Sequence, residues 1–208
     1  MDYDLAEFAV SHALKLGADY ADARIENTTT NDFILKNGVP QMSSFDKVNG
    51  LGVRVQSGGC FGFASTNEPE KEKIKDMIEK AMKITKAACR IAQHSQMSET
   101  PTENAQYEVK QKTKLDDLSP KEKLDVLFEI EKSIASTKVN TPGRFFSLSD
   151  FYTEKYFTNS EGTKITSKIP RVDFWHFITI NTNGKTAQRY WQYGDSGGFE
   201  KITARNFP

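Results

Sequence analysis

Histidine and cysteine are scarce: the 208 residues hold three of the first and two of the second. No two of His12, His94 and His176 share a helical turn, and no cysteine or histidine pair has metal-ligand spacing. Cys60 and Cys89 form no Cys-x-x-Cys motif, so the expectation is two free thiols in a reducing compartment. Excess charge is also lacking, since 28 Lys and Arg balance 28 Asp and Glu. A neutral chain has no general attraction for phosphate backbones, which argues against nucleic acid as a partner. No apolar run reaches the roughly 20 residues a membrane helix needs. The acidic start, "MDYDLAEFAV", has no basic segment ahead of an apolar core and is not a signal peptide. A cytoplasmic protein without membrane contact is expected, and the glycosylation pattern Asn27-Thr28-Thr29 then carries no meaning.

What is present describes a globular fold, with 37% hydrophobic and 27% charged residues. Leu5, Phe8, Ala9, His12, Ala13 and Leu16 recur at helical spacing, and Gly17 follows as a helix stop. From Asp22 to Phe63 the pattern alternates, with turn signals at Asn37-Gly38, Asn49-Gly50 and Gly58-Gly59, predicting an antiparallel meander. Pro69 opens a helix carrying Ile74, Met77, Ile78, Ala81 and Met82, and its mixed charges from Glu68 to Lys86 read as a solvated face. Gln93 to Asp117 is polar and aperiodic, hence a connecting segment. Ser119-Pro120-Lys121-Glu122 starts a second long helix through Leu124, Leu127, Phe128, Ile130 and Ile134. Strand patterns return in "RFFSLSDFY", "EKYFTNS", "TKITSKI", "RVDFWHFITIN" and "KTAQRYWQYG".

The predicted class is α+β, with long helices packed on antiparallel or mixed β-sheets and an internal duplication of a helix-plus-meander unit. Gly38 and Gly162 lie 124 positions apart at corresponding turns, and Gly59 and Gly184 lie 125 apart. The expected domains are a first α+β unit at 1–95, a connector at 96–117 and a second α+β unit at 118–208.

Candidates for chemistry reduce to architecture when weighed. Gly194-Asp195-Ser196-Gly197-Gly198 matches the nucleophile motif of chymotrypsin-like proteases letter for letter. That chemistry needs a histidine on the serine and an aspartate behind it. None of the three histidines has such surroundings, so a turn between strands is the reading. Gly58-Gly59-Cys60-Phe61-Gly62 suggests a phosphate loop but lacks the following helix and lysine. Phe174, Trp175, Phe177, Tyr190, Trp191 and Tyr193 alternate along two strands, so one face is core and the other exposes rings. Those rings are expected to be covered by further protein, as self-association or a missing half, more than by stacked bases. No residue qualifies as catalytic, cofactor-binding or metal-binding.

Taken in order, "ALKLGADYADARIE", "GLGVRV", "GGCFGFAST" before a charged helix, "NSEG" and "GGFE" resemble the first part of the TldD/PmbA family. The resemblance implies a cytosolic zinc-dependent peptidase of paired subunits acting on small or unfolded peptides. An older label for the family is modulator of DNA gyrase. In the family the zinc site is a His-Glu-x-x-x-His helix in the C-terminal half, and His12, His94 and His176 are followed here by Ala13, Ser95 and Phe177. The resemblance therefore implies a non-catalytic scaffold and substrate-cleft half that is inactive alone. Zinc is expected in a C-terminal half beyond Pro208, and the partner is a second copy or a paralogous subunit. The alternative is a stand-alone binding or assembly module that partners a separate catalytic subunit. A nucleic-acid-associated regulator is a third reading.

Overall fold

The structure is a computed structural model and describes residues 3–91 and 93–204. Helix α1 (Tyr3–Lys15) leads into strands β1 (Tyr20–Lys36), β2 (Val39–Ser57) and β3 (Cys60–Thr66), then helix α2 (Lys71–Ala88). A short strand β4 (Asn104–Glu108) follows, then a 3-10 turn at Leu115–Asp117. Helix α3 (Pro120–Ser136) opens a second series with β5 (Gly143–Asn159), β6 (Lys164–Thr182), β7 (Lys185–Ser196) and α4 (Glu200–Thr203). The class is α+β. The sheet runs β3-β2-β1-β5-β6-β4, with β7 also paired to β6. It is mixed, because β4 lies parallel to β6 while β2–β3 and β6–β7 are antiparallel.

Turn signals are honoured at the hairpin tips and overridden inside the strands. Asn37-Gly38 and Asn183-Gly184 take left-handed backbone, as a tight hairpin turn demands. Asn49-Gly50, expected to be a turn, instead lies inside β2. A Cβ at Gly50 would sit 3.4 Å from the Thr66 carbonyl, so the glycine marks close strand approach. Likewise β5 and β6 each run through what the sequence divides in two. β4 falls within the segment expected to be a plain connector; its residues are almost all exposed, leaving no hydrophobic alternation to detect.

By proximity the chain forms two compact units: residues 1–28, 48–108 and 153–168, and residues 29–47, 109–152 and 169–208. The expectation was consecutive units at 1–95 and 118–208. The units are instead interleaved, because β1, β2, β5 and β6 are 17 to 19 residues long and each contributes to both.

In the first unit, Ala21, Ala23 and Ile25 of β1 and Leu51, Val53 and Val55 of β2 face Ala6, Ala9 and Ala13 of α1 and Ile74 and Ile78 of α2. Small side chains on α1 and β1 let the layers approach closely. α2 lies flush on β3: a Cβ at Gly62 would fall 1.8 Å from Thr85 Oγ1. Tyr156 O–H donates to the Glu7 carboxylate at 2.7 Å and Lys164 Nζ does so at 2.6 Å. These bonds hold Glu7 below the usual glutamate range, while burial and the carboxylate push the Tyr156 phenol up to about 12.

In the second unit, Phe33, Leu35, Phe146, Leu148, Val172 and Phe174 pack against Leu127, Phe199 and Ile202. α3 starts on the anticipated capping box: Glu122 N–H donates to Ser119 Oγ at 3.3 Å, and Ser119 N–H donates to Glu122 Oε2 at 2.8 Å. Lys123 and Asp150, 3% and 2% exposed, pair at 2.8 Å, and Asn31 Nδ2 donates to the other carboxylate oxygen. Among the described residues no helix is long and apolar enough to cross a membrane.

Candidate functional site

Alternation gives the first unit's sheet a second, polar face. While Ala21, Ala23 and Ile25 point to core, Asp22, Arg24 and Glu26 line a groove of about 790 Å³. Its floor is Gly50 and Gly52 of β2, and Arg54, Phe63 and Ser65 also line it. A Cβ at Gly52 would lie 3.2 Å from the Phe63 ring, so glycine lets that ring lie over the strand. Phe63 itself is 69% exposed. Arg54 donates to Asp22 Oδ2 from Nε at 2.7 Å and from a terminal nitrogen at 2.5 Å; burial works against the guanidinium charge, but the Asp22 carboxylate outweighs it and makes the guanidinium hold its proton more firmly. Lys155 pairs with Glu26 at 3.2 Å. The groove thus offers both charges, glycine backbone and one exposed ring.

The sequence candidates fall apart in space. Ser196 pairs with Arg171 and His176 with Trp191 on the β6–β7 ladder. Five positions of strand, about 16 Å, separate them along the sheet. Asp195 accepts instead from Tyr193 O–H at 3.0 Å, Lys201 Nζ at 2.9 Å and the Ser196 N–H. The protease-like motif is therefore a strand end. "GGFE" is a packing device: Gly198 leaves no room for a Cβ, which would meet the Thr113 carbonyl at 2.0 Å. Phe199 is fully buried. Burial would raise the Glu200 carboxyl, but backbone N–H donors, including those of Thr113 and Gly198, outweigh it and hold the carboxyl low.

The aromatic cluster divides as alternation requires. Phe174 and His176 are buried, whereas Trp175 and Phe177 line an apolar groove of about 390 Å³ with Phe145, Gly143 and Thr179. Trp175 stacks on Phe145 at 4.9 Å between ring centroids, and Tyr190 stays 56% exposed.

The expectation of two free thiols does not hold. Cys60 and Cys89 form a disulfide. α2 returns along β3, so the residue ending the helix meets the residue opening the strand, a proximity that a separation of 29 residues does not encode. His94 joins them: the three ligand atoms lie within 4.8 Å of one another.

Two matches to family models decide the classification. Residues 21–85 match PmbA/TldA metallopeptidase domain 1, and residues 113–205 match the PmbA/TldA metallopeptidase central domain. The chain belongs to the TldD/PmbA family. It is 28% identical over 198 residues to metalloprotease MJ0996 of Methanocaldococcus jannaschii, covering 93% of this chain and 42% of that protein. A Bacteroides thetaiotaomicron structure described as a candidate modulator of DNA gyrase superposes with TM-score 0.80 at 18% identity, covering 94% of this chain and 45% of that one. TldE from Thermococcus kodakarensis superposes with TM-score 0.70 at 18% identity, covering 93% and 42%. The chain thus spans less than half the length of these relatives.

Proposed function

We propose that this chain is the non-catalytic N-terminal and central part of a TldD/PmbA-type zinc peptidase for small or unfolded peptides. The reading is carried by one conjunction: matches to the first and central family domains in a sequence with no His-Glu-x-x-x-His. Neither His12 nor His176 fits a catalytic zinc. His176 is buried among Phe146, Phe174 and Trp191, and His12 sits on α1 beside Glu79. In this reading a C-terminal half holds the zinc, and no step of hydrolysis is assigned to these residues.

The polar groove supports a peptide-lining role. Asp22, Arg24 and Glu26 alternate in charge, and the glycine floor leaves backbone accessible. That suits a polypeptide of mixed sequence better than a polyanion. The apolar groove at Phe145, Trp175 and Phe177, with exposed Val39 and Phe45, supports a paired subunit, whether a second copy or a paralogue. The alternative, a stand-alone module partnering a separate catalytic subunit, shares these surfaces.

An internal duplication accompanies the proposal. Both α1-β1-β2-β3-α2 and α3-β5-β6-β7-α4 read helix, three strands, helix. β1 and β5 have 17 residues each, β2 and β6 have 19, and left-handed glycines stand at the matching turns, Gly38 with Gly162 and Gly59 with Gly184. Halves that superpose only with those glycines out of register would refute it.

The functional test pairs the chain with a family subunit carrying His-Glu-x-x-x-His and follows cleavage of an unfolded polypeptide. Arg54→Ala and Phe63→Ala are expected to raise KM severalfold with kcat within twofold. An unchanged KM in both variants would remove the groove from the substrate path.

A further inference from the structure

The β2–β3 turn, the end of α2 and the segment after it converge at Cys60, Cys89 and His94. Left-handed Gly58 and Gly59 fold the turn tightly, so Cys60 opens β3 from a buried position. Ser95 N–H donates to the Gly59 carbonyl at 2.8 Å, and Gln56 Nε2 donates to the Ser95 carbonyl at 2.9 Å. These bonds fix the residue after His94. The His94 ring itself rests on Gly59, where a Cβ would lie 3.1 Å from the His94 Cβ. Nε2 then stands 4.0 Å from Cys89 Sγ. Tetrahedral zinc, with bonds of about 2.3 Å to sulfur and 2.0–2.1 Å to nitrogen, sets ligand atoms roughly 3.5–3.8 Å apart. The nitrogen is thus near ligand distance already, and opening the S–S bond brings the sulfurs toward it.

A disulfide serving only as a cross-link has no use for an imidazole beside it. Two sulfurs and a borderline nitrogen converging on one point are the donor set of a thiophilic cation. The surroundings favour positive charge as well. The Gly58 and Ser57 carbonyl oxygens lie 3.2 and 3.5 Å from Cys89 Sγ, and the Asp19 carboxylate accepts from Gly58 N–H at 2.7 Å. His94 also lines a groove of about 740 Å³ with Asp19, Gln56, Met97 and Glu161, giving a reductant or a metal a way in and leaving water for a fourth position.

We propose that Cys60, Cys89 and His94 form a redox-gated site for a thiophilic divalent cation such as zinc, separate from any catalytic metal. A dithiol reductant opens the site: the Cys60–Cys89 bond takes two electrons and two protons, and the reductant closes to its own disulfide. The cation then binds both sulfurs and His94 Nε2, releasing the two thiol protons. Oxidation by a disulfide reverses this and expels the cation.

The experiment uses the whole chain, reduced with a trialkylphosphine and titrated anaerobically with cobalt(II), then with zinc. One equivalent of cobalt should bind the reduced chain with a thiolate-to-cobalt charge-transfer band that zinc abolishes, and the oxidised chain should show none. His94→Ala keeps the disulfide and therefore folds as the parent does. Reduced, it should bind cobalt at least tenfold more weakly, and Cys89→Ser should lose the band. Zinc should also raise the melting temperature of the reduced chain and leave the oxidised chain unmoved. A reduced chain without the band, or His94→Ala binding as tightly as the parent, overturns the proposal. The readout is spectroscopic, so it stands apart from any outcome on peptide cleavage.

Discussion

His176 is 2% exposed, and among the described residues neither ring nitrogen has a hydrogen-bond partner. Burial, with the Arg189 charge adding to it, holds the imidazole below its ordinary value of 6.5, so the folded chain keeps it neutral. The unfolded chain takes up the proton first, and stability present above pH 6.5 is lost as pH falls through that value and toward the folded one. His176→Phe removes both the unmet nitrogens and this sensitivity. The variant is expected to melt a few degrees higher at neutral pH, for a gain of roughly 1 kcal/mol. The melting difference between pH 7.5 and 5.5 should shrink, and an unchanged difference would show that other groups set the acid limb. The buried Lys123–Asp150 pair tests the opposite case. Lys123→Met strands the carboxylate and should cost about 3–5 kcal/mol by denaturant unfolding, whereas Lys123→Met with Asp150→Leu should recover most of it. A double variant as unstable as the single would mean that Asn31 and the local packing, not the charge pair, dominate.

Elements were legible where periodicity and caps agreed. α1, α2 and α3, the Ser119 cap and the hairpin tips at Gly38, Gly59 and Gly184 follow from spacing and turn chemistry. Asn49-Gly50 departs from that rule, since it carries a turn signal and yet lies inside β2. Gly50 and Gly52 admit close neighbours without turning the chain, and a single residue type carries both meanings. Gly62 is the sharpest case, because the strand pattern places it in β3 but does not show that it seats α2 there. Thr85 cannot yield freely, since its Oγ1 donates to the Ala81 carbonyl at 2.8 Å and the residue is 1% exposed. Gly62→Ala should therefore destabilise by roughly 1–3 kcal/mol, and adding Thr85→Ala should restore more than half. No recovery in the double variant would place the strain on the strand backbone instead.

At the scale of the molecule, the α+β class and the family could be read from ordered motifs, and the interleaving of the two units could not. Pairing between β1 and β5 joins segments more than a hundred residues apart, which no local pattern encodes. The same limit hid the Cys60, Cys89 and His94 cluster. A separation of 29 residues between the cysteines says nothing about the return of α2 along β3. The polar groove is illegible for a related reason, because alternation along β1 does not say that Phe63 of β3 lies over Gly52 of β2.

The role proposed for this chain is to support peptide hydrolysis without performing it. Its most direct test is cleavage of an unfolded polypeptide by the purified chain alone, oxidised and reduced, each with and without zinc. The expected result is no cleavage above background in any of the four conditions, including the reduced zinc-loaded form, because a metal held by Cys60, Cys89 and His94 lacks the His-Glu-x-x-x-His helix and its glutamate base. Zinc-dependent cleavage abolished by His94→Ala would contradict the account and make this chain an enzyme in its own right.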